Sequence, residues 1–187
     1  MTDTPARATR SDARHNRERI LAAARTELGA DGSASLTAVA KRAGVGIGTL
    51  YRHFPNREAL IMEIYRHDIG HLIDLAPKLV AKHPPLEALR RWFDEVARYA
   101  RRKFGVAEVI HAATDRGLQD PAYAPFVAAI GVLLEAGARS GELKAGIDPE
   151  DVLLQLSVLW RIDPAADPKR PARIVQLIID GLMSVPV

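Results

Sequence analysis

The chain contains no cysteine among its 187 residues. That removes disulfides, thiolate catalysis and cysteine-ligated metal together. It has no apolar run approaching the roughly 18 residues that mark a membrane span. The opening MTDTPARATRSDARHNRER lacks the apolar core of a secretory signal. A cytoplasmic protein with no membrane partner is expected. No internal repeat is visible, and no segment alternates polar and apolar residues over a usable length. The 48% hydrophobic and 26% charged residues exclude a wholly disordered or collagen-like chain. The length suffices to bury a core without covalent staples.

Charge is unevenly placed. Residues 1–67 carry 11 Lys/Arg against 7 Asp/Glu, whereas residues 68–187 carry 15 against 16. A basic first third points toward nucleic acid or an anionic surface.

Apolar spacing reads as helix throughout, so the fold class is all-α. A first helix is expected from about Ser11, with Ile20, Leu21, Ala24 and Leu28 on one face and a stop at Gly29. Ser35 caps a short second helix ending at Gly44, a residue suited to the left-handed turn. A third runs from about Gly46 to His53, stopped by Phe54-Pro55. Asn56 caps a fourth, with Leu60, Ile64 and His67 on one side. Leu86, Leu89, Phe93, Val96, Ala100 and Phe104 define an amphipathic fifth. Further helices are expected over residues 106–115, 122–139, 149–161 and 171–183.

The informative stretch is SLTAVAKRAGVGIGTLYRHFPNR, Ser35 to Arg57. Two short helices joined by a tight glycine turn are the sequence form of a helix-turn-helix. The second helix of such a unit fits a major groove about 12 Å wide. Leu36, Val39, Ala40, Val45 and Leu50 would form its small core, leaving Thr49, Tyr51, Arg52 and His53 to face outward. On any helix such a polar set is most often a solvated face. Gly46 and Gly48 also spell Gly-x-Gly, but a nucleotide loop needs a preceding strand, and none is evident.

Ala43-Gly44-Val45, then Gly48-Thr49-Leu50-Tyr51-Arg52-His53-Phe54, then Arg57, resemble the DNA-binding domain of the TetR family of transcriptional repressors. The likeness is strong from about Arg14 to Tyr65 and looser beyond, where LWRIDPAADPKRPARIVQLIIDGL looks like the C-terminal half of some members. The resemblance implies an arm at 1–13, a helix-turn-helix domain at 14–66, and a ligand-sensing and dimerisation domain at 67–187. It implies backbone contacts from Thr49, Tyr51, His53 and Arg57, which set register on DNA. It implies base reading by Ile47, Gly48 and Arg52 with help from Thr37. Arg52 suits guanine O6 and N7, while Ile47 suits a thymine methyl. The family often has Ser or Thr at position 46 and a polar residue at 47. Gly46 still caps tolerably, and Ile47 bears on which operator is read. Arg7, Arg10, Arg14 and Arg17 are candidates for a minor groove or nearby phosphates, with residues 1–10 read as a disordered tail.

Dimers read two half-sites about one helical turn apart, ~34–36 Å. The last two helices are apolar nearly all round, with only Gln155 and Ser157 polar between Val152 and Trp160, so each must bury two faces. A homodimer through these helices is expected; a fully central helix in a monomer is the alternative. Trp92, Phe93, Val96, Tyr99, His111, Thr114, Phe126, Ile130 and Trp160 are candidates to hold an apolar or aromatic small-molecule effector, although any one aromatic at helical spacing is more often core. Effector and double-stranded DNA operator would then weaken each other by the same factor, with the fourth helix as lever.

No cofactor is called for. His67, His71 and Asp74 share a helix face but have no second ligand set, so no metal site is expected. Ser140 and Ser157 lack a nucleophile motif, and adjacent Asp94 and Glu95 point apart, so no enzyme is expected. The chain reads as a ligand-responsive DNA-binding regulator, most simply a repressor. A helical interaction module, or an activator without an inducer, is the alternative.

Overall fold

The structure is a computed structural model that describes residues 5–30, 34–103, 121–163 and 165–184. Those residues form eight α-helices: α1 (Pro5–Ala30), α2 (Leu36–Ala43), α3 (Ile47–His53), α4 (Arg57–Val80), α5 (Pro85–Lys103), α6 (Tyr123–Ser140), α7 (Pro149–Ser157) and α8 (Arg170–Leu182). A 3₁₀ turn at Val158–Arg161 tightens the end of α7. Among the described residues the only β-type pairing is one isolated bridge between Leu143 and Met183. The helix expected over 106–115 lies outside the described residues, with His111 and Thr114 on it.

The helix ends follow side-chain chemistry. Ser35 accepts from the Ala38 backbone N–H at 3.1 Å, and Asn56 accepts from that of Ala59 at 2.7 Å. Each satisfies a donor that the first helical turn leaves unpaired. Asp148 does the same for α7, where Pro149 supplies the first position. Gly44 closes α2 at φ +63°. The Val45 N–H returns to the Ala40 carbonyl and that of Gly44 to Lys41, each at 3.1 Å, a Schellman closure. Gly141 ends α6 in the same way at φ +76°. Asp167 holds the chain entering α8. Its carboxylate accepts from Arg173 at 2.6 Å and from the Lys169 N–H at 3.0 Å. The Arg173 hydrogen bond keeps the Asp167 carboxyl below the usual range.

Two features differ from the sequence reading. The stretch expected as an arm is helical from Pro5 onward, so α1 begins before Ser11. Proline is pre-set for a first helical turn, and the alanines and arginines that follow favour helix. His67 does not continue the buried side of α4; its side chain is 61% exposed. The reason is that α4 serves two cores. Leu60, Ile61 and Ile64 pack with α1, α2 and α3, whereas Ile69, Leu72 and Ala76 belong to a second cluster. The buried stripe therefore shifts around the helix between Ile64 and Ile69. Tyr65 touches both clusters.

The first cluster gathers Ile20, Leu21, Ala24, Leu28, Val39, Ala40, Leu50 and Phe54. The second is centred on Trp92, Phe93, Ile130 and Leu133, each fully buried. Trp92 donates its indole N–H to the Leu72 carbonyl at 2.8 Å, which satisfies the one polar atom it buries. Among the described residues no helix is long and apolar enough to cross a membrane.

Candidate functional site

α3 is held from behind and open in front. Leu50 is its buried anchor. Ile47 and Tyr51, one helical turn apart, remain 41% and 49% exposed. Thr37, Gly48 and Arg52 are exposed, while Thr49 and His53 are half-buried. Seven of the eight residues expected to meet DNA therefore lie on α3 or at the start of α2. The exposed ones among them present hydroxyl, phenol and guanidinium groups, chemistry that suits phosphates and base edges.

The eighth, Arg57, is used differently. Its Nη1 donates to the Ala34 carbonyl. It ties the start of α4 to the segment entering α2, so any contact with phosphate must share or open that brace.

Sequence reasoning did not foresee the partners of Arg17 or the role of Arg19. Arg17, a candidate for nearby phosphates, is engaged within the domain although its side chain is 40% exposed. Its guanidinium lies 5.3 Å above the Phe54 ring and pairs with Glu63 at 2.7 Å. Arg19 lies behind the turn and donates Nη2 to the carbonyls of Ala43 and, at 3.1 Å, of Gly44. Those are end-of-helix carbonyls with no partner in α2 itself. A Cβ at Gly44 would come within 2.6 Å of that guanidinium. Glycine is required there for its φ, whereas the Arg19 guanidinium, at the end of a flexible side chain, could move aside. The sequence does carry a signal for Arg19: it precedes Ile20 and stands one turn before Ala23, both buried. Arg14 stays exposed beside Glu18.

The described residues expected around an effector belong to the second core cluster or pack against it. Trp92, Phe93, Val96, Phe126 and Ile130 are buried, with the Trp92 and Phe126 rings 5.3 Å apart. Tyr99 is buried and meets the half-buried Trp160 edge-on at 6.2 Å. Among the described residues no three His, Cys, Asp or Glu side chains are placed to hold a metal ion. His67 and His71 both face solvent.

Comparison with known proteins places this geometry. The family model for bacterial regulatory proteins of the tetR family matches residues 20–64. The model for the C-terminal domain of SbtR-like transcriptional regulators matches residues 84–184. A TetR transcriptional regulator from Streptomyces coelicolor is 35% identical, with a TM-score of 0.74 over 91% of this chain and 99% of that one. A TetR regulator from Mycobacterium vanbaalenii is 32% identical, with a TM-score of 0.71 over 94% and 99%. An HTH-type transcriptional regulator of Staphylococcus aureus (strain USA300) is 37% identical over 62 residues, 32% of this chain and 34% of that protein. The chain thus spans about a third of the length of the curated relatives it matches. The exposed α3, the glycine turn behind it and both family matches lead to one conclusion: this chain belongs to the TetR family of DNA-binding transcriptional regulators and is not an enzyme.

Proposed function

We propose that the protein acts as a homodimeric repressor that sets two copies of α3 into successive major grooves of a palindromic operator and leaves it when a small molecule binds. The observation that carries the DNA half is the exposure of Ile47, Tyr51 and Arg52 on a helix whose opposite side is anchored by Leu50. Thr49, Tyr51 and His53 hold phosphates, Arg52 and Ile47 read bases, and Gly48 lets the helix approach closely.

Pairing is supported by the last helices. Leu154 and Leu177 are 68% and 70% exposed, and Val158 is 40% exposed. These side chains would bury against the same helices of a second copy.

The effector half rests on the two-core path of α4. A ligand held in the C-terminal unit that prefers one setting of α4 shifts the pair of α3 helices with it. The same fold carries a gamma-butyrolactone receptor, 23% identical with a TM-score of 0.63. In this chain Trp92, Phe93 and Phe126 are buried in that unit, where they would meet the apolar body of an effector.

A gel-shift titration tests the reading, using a duplex that the wild-type protein selects from a random pool. Arg52→Ala is expected to lose about 1–3 kcal/mol of discrimination at one base pair. Tyr51→Ala should weaken every duplex alike and leave the salt slope nearly unchanged, because a neutral phenol releases no counterion. Uniform loss from Arg52→Ala would make it a phosphate contact, and no selection from the pool would end the proposal.

A further inference from the structure

We infer that Gly48 opens a notch in α3 that takes the 5-methyl group of a thymine, and that a T·A pair close to the base pair read by Arg52 is therefore part of the operator's code. This deepens the DNA-binding reading above and rests on it.

The protomer explains several of its glycines. Gly44, Gly141 and Gly146 have positive φ, and a Cβ at Gly131 or Gly137 would meet Pro149 or Leu143. Gly48 has neither reason. It is the second residue of α3, its φ is not positive, and a Cβ there would meet nothing within 4 Å. Alanine would hold this short helix better than glycine does. Gly70 and Gly181 are open too, so openness alone assigns nothing; the neighbours of Gly48 do.

On a helix surface the residues three and four positions on are neighbours. For Gly48 these are Tyr51 and Arg52, with Ile47 alongside. Among the described residues of α1 to α5, Ile47 and Tyr51 are the only large apolar side chains left exposed. The missing Cβ thus leaves a hollow with apolar walls and a guanidinium at its end. The thymine methyl is the one apolar group that base edges show in the major groove. Seated beside Gly48 it would bury against Ile47 and the Tyr51 ring, in the space a Cβ would take. Four residues of helix rise about 6 Å, against ~3.4 Å per base step. The thymine therefore falls one or two pairs from the guanine that suits Arg52.

The test uses the full chain and the duplex it selects. Each thymine is replaced in turn by deoxyuridine, which removes only the methyl group. Anisotropy titration of wild type should find one position in each half-site where the swap costs about fourfold in affinity. That position should lie within two pairs of the one at which Arg52→Ala relaxes discrimination. Gly48→Ala should bind the selected duplex about tenfold more weakly and no longer distinguish thymine from deoxyuridine there. Its urea midpoint should equal or exceed that of wild type, which separates lost fit from lost folding. A wild-type protein indifferent to every swap, discrimination that survives Gly48→Ala, or undiminished binding by Gly48→Ala overturns the notch. A lowered midpoint would mean that position 48 is packed, and overturns it as well. Failure to select any duplex overturns the parent reading, whereas a selected duplex without a methyl effect overturns the notch alone.

Discussion

Arg19 and Arg52 lie on opposite sides of the same turn-and-helix. Arg52 points outward from α3, whereas Arg19 crosses behind the turn and caps the carbonyls of Ala43 and Gly44. On the proposed reading Arg19 is a positioning residue, acting on α3 through the turn whose carbonyls it caps. Arg19→Ala should lower affinity for the selected duplex by about 1–2 kcal/mol while leaving the slope of log K against log salt unchanged. A lost phosphate contact would flatten that slope by about one. Anisotropy titrations over a range of salt separate the two, and a flattened slope would move Arg19 to the DNA surface. Ser35, Gly44 and Asn56 were legible from residue type alone, because a cap is a local contract between a side chain and the next turn. The direction of an arginine is not local. Arg17 and Arg57 carry the charge that suits phosphate, yet one finds Phe54 and Glu63 and the other the Ala34 carbonyl. Those partners lie more than twenty residues away in sequence.

At the scale of elements, periodicity marked α2, α3 and α5 well, since each has one buried stripe against one core. α4 was legible only in part. Its stripe shifts between two clusters, so a single helical face drawn through Leu60 and Ile64 sends His67 inward, and the structure exposes it. The end of α6 shows a constraint hidden in sequence. A Cβ at Gly137 would fall 2.3 Å from Leu143 Cδ1 and 2.4 Å from its Cγ. Leu143 is buried, and its backbone is bridged to Met183, so it has little room to yield. Gly137→Ala should therefore destabilise by roughly 1–2 kcal/mol, overpacking exceeding the gain of about 1 kcal/mol in helix propensity. Urea denaturation should show a lower midpoint with the slope m unchanged; a raised midpoint would show that Leu143 moves aside.

For the whole molecule, the two clusters give the chain two mechanical parts joined through α4, with α1 clasped to α4 by Arg17–Glu63 and Arg25–Asp68. The all-α class and the short helix α3 with its outward residues were readable from sequence because both follow from helical period and a short motif. Pairing is the remaining demand of a two-groove mechanism. Leu154→Glu with Leu177→Glu places charge at positions already exposed in the protomer, so folding should be spared. Sedimentation should then report a monomer that binds the selected duplex far more weakly. A dimer that survives both changes would place the pairing surface elsewhere.

The most direct measurement is a hydroxyl-radical footprint of the wild-type protein on its selected duplex. Two protected half-sites on one face of the helix, centred about one turn or a whole multiple apart, each weakened by Tyr51→Ala, are the expected result. A single protected segment, or a paired footprint indifferent to Tyr51→Ala, would contradict the account.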